Sequence, residues 1–417
     1  MNKVAIVGAH WGDEGKGKVV NYFSDKYEWI ARFSGGSNAG HTIYYKGKKY
    51  VNHLIPSLNP DSDTKGFLGA GMVLDMQQLI DELNIAEKDF PGISSRIYVD
   101  LEAFLVLPWH KEEDGLIESM RKNPIGTTKK GIGPAYTDKV SREGIKLYHI
   151  FDENSLKERL ENIFYLKNNL YNGKLSFNVD ETIKYIQDIK RNLEKLKVNY
   201  TSALEIGKSF RNTSVLFEGA QGVLLDLDFG TYPYVTSSSC MAHGVSAVGF
   251  STFELDEVYG VLKAYTTRVG EGPFPTELFG NEAEFIRKAG NEFGATTGRS
   301  RRVGWLDLPA LRYAKIRSGL TSFIITKADV LDNMDEIKIC TGYEIEGEVK
   351  EIPNSSRDFF NAKPIYETLP GWKNIYDINF LKYMIFIEDK TGVKIDYISY
   401  GPKTEEMYSK NDLIKKI

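Results

Sequence analysis

The residues Val4–Val7 form a short apolar run, three of the four β-branched, that stops at Gly8, and the chain continues GAHWGDEGKGKVV. A short buried strand, a glycine-dense loop and an amphipathic stretch from Lys18 to about Lys26 together open an α/β unit. In open α/β sheets, ligands sit beyond the carboxyl ends of the strands. The loop nearly fits the phosphate-cradling pattern G-x-x-x-x-G-K-[ST]. Gly12, four residues, Gly17 and Lys18 match, but Val19 stands where a hydroxyl should meet Mg2+.

Small glycines let backbone N–H groups approach phosphate oxygens, and the helix that follows adds its positive end. Lys16 and Lys18 are expected to supply cations. Asp13 is the unusual member, because a carboxylate beside phosphates is repelled unless a metal or proton chemistry involves it. It is a candidate Mg2+ ligand, a candidate base, or both; a plain helix-capping Asp is the alternative.

Five further stretches carry residue types suited to anions and bases. In GGSNAGHT, Gly35, Gly36 and Gly40 expose backbone, Asn38 offers an amide, and His41 is one of six histidines. IGTTKKGIGPAYTDKVSR (125–142) pairs threonines with lysines, a composition fit for a phosphate monoester. In FEGAQG, Gln221 follows a candidate strand, Val215–Phe217, and an amide there can read a base edge. GATTGRSRRVGW (294–305) has three arginines in four residues, forks that grip carboxylates and phosphates. ITKADVLD (325–332) resembles the [NT]-K-x-D element that reads guanine, with Lys327 and Asp329 in its key places.

Other strand candidates are Trp29–Phe33, Thr321–Thr326 and Ile395–Ser399, and Ile43–Tyr50 reads as a hairpin about Gly47. Lysine- and glutamate-rich segments with apolar residues three and four apart predict long amphipathic helices over 152–204, a helical insertion in an otherwise single domain spanning 1–417. Their charges read as a solvated face. A net charge of −4 over 417 residues speaks against nucleic acid as a partner, and no apolar stretch is long enough for a membrane span. Two distant cysteines suggest reduced thiols and a cytoplasmic protein. The residues alone lead to a purine-nucleotide-dependent transferase or ligase.

From WGDEGKGK through GGSNAGHT, GTTKKGIGPAY, FEGAQG, GTYPYVTSS, TRVGEGPFPTEL, TTGRSRRVGW and TKADVLD to ISYGP, the chain resembles the adenylosuccinate synthetases nearly end to end. The resemblance implies a P-loop-like, GTP-dependent ligase with a large, mainly parallel sheet flanked by helices. It implies IMP, GTP and L-aspartate as substrates, Mg2+ as cofactor, a 6-phosphoryl intermediate, and a homodimer. The catalytic pair would be Asp13 and His41, with Asp13 and the Gly40 carbonyl on Mg2+. GTP would meet Gly12, Gly15, Lys16, Gly17, Gly40, Thr42, Arg301, Lys327, Asp329, Ser399 and Gly401. The monophosphate would meet Asn38, Thr128, Gln221, Thr236, Arg299 and Arg142, the last reaching in from the partner subunit. Aspartate would meet Val269, Thr296, Thr297, Arg299 and Arg301. Departures from the family's usual residues are His10, Phe229, Ser300 and the run Ser239–Val245; His10 and that run are expected near the purine and ribose. An alternative acceptor is dGMP, used by viral relatives, although the presence of Asp13 favours IMP.

Overall fold

In the computed structural model, which describes residues 2–123, 125–293 and 300–417, the opening strand is the centre of everything else. This strand, β1, is Lys3–Gly8 and is buried at every position. Its alternate side chains serve two cores. Val4 and Ile6 face one, and Ala5 and Val7 face the other. A strand buried on both faces must read as a continuous apolar run, and this one does.

Nine further strands complete the sheet: β2 (Trp29–Arg32), β3 (Lys65–Leu68), β4 (Ile97–Asp100), β5 (Asn199–Thr201), β6 (Val215–Glu218), β7 (Glu257–Lys263), β8 (Ser322–Thr326), β9 (Lys394–Ser399) and β10 (Met407–Ser409). Their spatial order is β10-β9-β8-β7-β1-β6-β2-β3-β4-β5. All neighbours are parallel except the edge pair β9–β10. The sheet is thus mainly parallel, and the carboxyl ends of β1, β6, β7, β8 and β9 lie along one edge.

The expected strands appear within a residue or two of their sequence limits. The hairpin is His41–Tyr45 paired with Lys48–Asn52. The helix after the glycine loop begins earlier than its amphipathic pattern suggested, at Lys16, and ends at Phe23. Within 152–204, helices Glu153–Leu170 and Val179–Lys195 pack on each other, and the second also lies on Met76–Asp89. The segment is not helical throughout: Asn199–Thr201 is β5, the outermost strand. Nor is its charged surface entirely solvated. Lys167 is 4% exposed, with Nζ 2.7 Å from Glu113 and 2.9 Å from Asp138, whose other oxygen meets His110 Nε2 at 2.8 Å. Among the described residues, no helix is long and apolar enough to cross a membrane.

Candidate active site

Asp13 sits at the tip of the glycine loop in a left-handed conformation, φ 63°. It does not cap the helix. The N-cap is Gly15, with no side-chain cap bond, so the capping alternative fails. Its carboxylate is 45% exposed and faces two cations, Lys263 Nζ at 3.7 Å and Arg301 Nε at 3.5 Å. The loop is held in shape by its neighbour instead. Glu14 turns inward and accepts from the N–H groups of Gly12 (2.8 Å) and His10 (3.2 Å), and from Lys16 Nζ at 2.7 Å. Lys16 is therefore a buried cation under the loop.

Lys18, expected at the phosphates, points elsewhere. Its Nζ donates to the carbonyls of Gly401 (2.7 Å) and Glu406 (3.2 Å), which lie beyond β9. Burial pushes its pKa down to about 8. The position that carries the phosphate lysine in the P-loop pattern is spent here on tying the first loop to the loop after the ninth strand.

His41 opens the hairpin strand and is buried. A Cβ on Gly17 would lie 2.9 Å from the His41 Cβ, so the helix can press on the histidine only because residue 17 has no side chain. The imidazole Nδ1 pairs with Glu218 Oε1 at the end of β6. Glu218 also accepts from the Ser57 N–H (2.9 Å) and hydroxyl (2.8 Å). Burial opposes its ionisation, but His41, Arg32 and Ser57 outweigh that and hold the carboxyl down at about 2. Burial also pushes the His41 imidazole below its ordinary value, against the attraction of Glu218. The free ring is thus neutral beside a fixed carboxylate, and its other nitrogen is left for a ligand. Arg32, fully buried, gives Nη1 to the His53 and Leu54 carbonyls, while Nε and Nη2 have no hydrogen-bond partner.

On the same side, several polar atoms are buried without partners: Asn38 Oδ1, Ser34 Oγ and Ser37 Oγ in the second glycine loop. Buried polar groups are nearly always paired, so an unpaired group of this kind asks for a ligand. Gln221 follows β6 at φ 55°. Thr236 Oγ1 lies 3.4 Å from Ser238 Oγ. Thr42 is half-buried, and Gly40 is exposed. Thr128 and Arg142 are exposed; Arg142 ends helix Ile132–Ser141 at φ 71°. Val269 is also exposed.

At the far end of the edge, the strand–Lys–x–Asp element forms as expected. Lys327 follows β8 at φ 56°, and its N–H bonds the Ser399 carbonyl at 3.1 Å. Lys327 Nζ donates to Glu292 (2.8 Å) and Gly290 O (2.7 Å). Asp329 Oδ1 is buried and unpartnered, an acceptor with nothing to accept from. Ser399 is buried beside it, and Gly401 starts the loop that Lys18 holds.

Thr296, Thr297 and Arg299 lie outside the described residues. Of the described residues on either side, Phe293 and Ser300 form an isolated bridge, and the Arg301 N–H bonds Glu292 O at 2.8 Å. Of the residues expected near the base, His10 is held by the backbone of a distant segment. Its ring is buried, with Nε2 3.2 Å from the Asp307 carbonyl, and burial lowers its pKa to about 4. Ser239 and His243 pair at 3.0 Å, Oγ to Nε2. Cys240 is buried against Gln221, Sγ to Oε1 3.8 Å.

Among the described residues no three His, Cys, Asp or Glu side chains form a metal cage. Mg2+ does not need one, since it keeps waters and takes one or two carboxylates plus substrate phosphates. The single exposed carboxylate of Asp13, beside an anion-seeking loop, fits that donor set.

The model of the adenylosuccinate synthetase family matches residues 5–408. The adenylosuccinate synthetase of Petrotoga mobilis is 74% identical over 414 residues, 99% of each chain. That of Thermotoga maritima is 47% identical over 409 residues, 98% of this chain and 99% of the other. A solved structure of the fully ligated adenylosuccinate synthetase from Plasmodium falciparum superposes with a TM-score of 0.90 at 35% identity, covering 98% of this chain and all of that one. The succinoaminodeoxyadenylate synthetase of cyanophage S-2L, bound to dGMP and dATP, superposes at 0.65 with 20% identity, covering 98% and 95%; that likeness is one of fold.

Proposed function

This chain belongs to the adenylosuccinate synthetase family, and from that premise we propose how its residues divide the work of a GTP-dependent ligation of L-aspartate to IMP. The products are adenylosuccinate, GDP and phosphate. The chemical obstacle is the purine O6, a poor leaving group until it is phosphorylated. Asp13 takes the proton from N1, which makes O6 nucleophilic. O6 attacks the γ-phosphorus, and the bond to the β-γ bridging oxygen breaks. The aspartate amine then attacks C6, and phosphate leaves with the O6 oxygen.

His41 serves the phosphoryl step. When a triphosphate adds its charge to that of Glu218, the imidazolium becomes favourable, with Nδ1–H on the carboxylate and Nε2–H on the transferring group. Asn38, Thr128, Gln221 and Thr236 hold the monophosphate, with Arg142 contributed by a second copy in a homodimer. Thr296, Thr297, Arg299 and Arg301 grip the aspartate carboxylates, with Val269 alongside. Gly12, Gly15, Lys16, Gly17 and Thr42 line the GTP phosphates. Asp329 accepts from guanine N1–H and the 2-amino group, and Lys327, Ser399 and Gly401 complete that pocket. Asp13 and the Gly40 carbonyl would hold Mg2+, which neutralises charge on the phosphate oxygens. We place the enzyme in the cytoplasm, where its two buried free cysteines remain thiols.

The observation that carries this reading is Asp13 itself: a carboxylate that caps no helix, in a left-handed backbone position, half-exposed and 3.7 and 3.5 Å from two cations. Purified Asp13→Asn protein tests it. GTP binding should persist while phosphate release in the presence of IMP and aspartate falls to background; undiminished release would overturn the assignment. The dGMP alternative has only a likeness of fold behind it. Assays with IMP and with dGMP separately should show turnover of IMP, and turnover of dGMP alone would refute that choice.

A further inference from the structure

The mechanism gives Arg268 no task, yet its burial is a costly arrangement. It ends the short strand Thr266–Arg268 and is 1% exposed. Its hydrogen bonds all go to uncharged oxygens. Nε donates to Glu271 O at 2.9 Å, Nη1 to Thr231 Oγ1 at 2.9 Å and Pro273 O at 3.0 Å, and Nη2 to Tyr234 O at 3.0 Å. The guanidinium stacks 5.4 Å above the Trp11 ring, and the two backbones form a parallel bridge. Burial, with Arg302 nearby, pushes its pKa down to about 9, so it remains a cation at neutral pH. A buried charge bonded only to neutral groups is expensive, and a latch made for stability alone has cheaper solutions.

What the fork joins explains why it is there. Thr231 and Tyr234 belong to the loop that continues to Thr236. Glu271 and Pro273 belong to the loop that begins at Val269. Trp11 is two residues before Asp13. The second loop closes down tightly on the arginine: Gly272 has φ 106°, and a Cβ there would lie 2.4 Å from Arg268 Nη2 and 2.7 Å from Tyr234 Cβ. Planar donors in a fixed fork can hold carbonyls in several directions at once, which a lysine cannot do.

We propose that Arg268 is a positioning residue that locks the monophosphate loop and the aspartate-side loop into one unit behind the catalytic loop, so that ordering either pocket orders the other. This rests on the reading that Thr236 meets the monophosphate and Val269 borders the aspartate. The guanine pocket, at the other end of the edge, makes none of these contacts.

The test is steady-state kinetics on the full-length enzyme with Arg268→Lys, Thr231→Val and Thr236→Val. In Arg268→Lys, KM for IMP and for L-aspartate should each rise about tenfold or more, the worth of one lost hydrogen bond per pocket. KM for GTP should stay within about twofold, and kcat should change less than either acceptor KM. Thr231→Val removes a single acceptor and should raise KM for IMP by about threefold. Unchanged KM values in a folded Arg268→Lys enzyme, or a parallel rise in KM for GTP, would overturn the proposal. Should Arg268→Lys not fold, Thr231→Val decides in the same way. If Thr236→Val leaves KM for IMP unchanged, the pocket reading falls and takes the proposal with it. If Thr236→Val raises it and the other two variants do not, only the proposal falls.

Discussion

Replacing Glu218 by Gln should separate the role of His41 from that of the loops around it. The carboxylate has donors on both oxygens: His41 Nδ1 and the Ser57 hydroxyl on Oε1, the Ser57 N–H on Oε2. An amide has one acceptor oxygen. Placed toward His41, it turns its NH2 against the Ser57 N–H, leaving a buried donor unsatisfied at about 1–3 kcal/mol. Placed the other way, the NH2 faces Nδ1 and forces the ring into the opposite tautomer. Either way the buried Arg32 guanidinium loses the carboxylate that most favours its charge, which adds to the loss of stability. The catalytic loss is expected to be larger than a stability change would produce, because the imidazolium of the phosphoryl step has lost the charge that favours it. General acid–base groups are worth about 10²–10⁴-fold, and kcat with saturating IMP, GTP and aspartate should fall within that range. Thermal melts and phosphate-release kinetics on the same preparation check both numbers. A Glu218→Gln enzyme that melts several degrees lower but keeps kcat within threefold of the parent would refute the reasoning, since the pair would then be structural only.

Asp329→Asn should raise KM for GTP by at least about a hundredfold, the loss of charge-assisted bonds worth about 1.5–3 kcal/mol each, with KM for IMP little changed; initial-rate measurements at varied GTP decide it. Lys167→Met should lower the melting temperature substantially, because Glu113 and Asp138 remain buried without their cation, a loss of about 3–5 kcal/mol, while kcat at low temperature stays near the parent value. Asp307 supplies a pH signature. Burial, eased only in part by the Tyr343 hydroxyl, the Ala310 N–H and Arg312, raises its pKa from 3.8 to about 7. The folded protein therefore holds a proton that the unfolded chain releases above about pH 4, so stability falls as pH rises through that window and levels off above about 7. Between those two values the dependence amounts to roughly 4 kcal/mol. Asp307→Asn keeps the cap on Ala310 but removes this dependence, so its advantage in melting temperature should grow from pH 5 to pH 8; a constant difference would exclude the titration.

The elements were legible because their residues announce them locally. Val4–Val7, Val215–Phe217 and Phe323–Ile325 are apolar runs flanked by glycine or polar residues, and Lys327 and Asp329 closely follow a strand. What stayed hidden depends on chain-distant packing. Glu14 and Glu218 lay inside quoted motifs but looked like ordinary carboxylates, because neither the Lys16 bond nor the His41 bond has a sequence period. Lys263, Glu292 and Arg32 are buried charges that no spacing marks. Lys18 was misread for the opposite reason. Its motif was strong, but its partners lie some 380 residues away at Gly401 and Glu406.

The placement of β1 has a consequence for biogenesis. Its two hydrogen-bonding neighbours are strands beginning at residues 215 and 257. At about 5–20 residues per second, a ribosome needs roughly 10–50 seconds to deliver them. Through that interval β1, apolar on both faces, has nowhere to dock. The nascent protein must either be shielded or hold this strand in temporary company until both neighbours have been made.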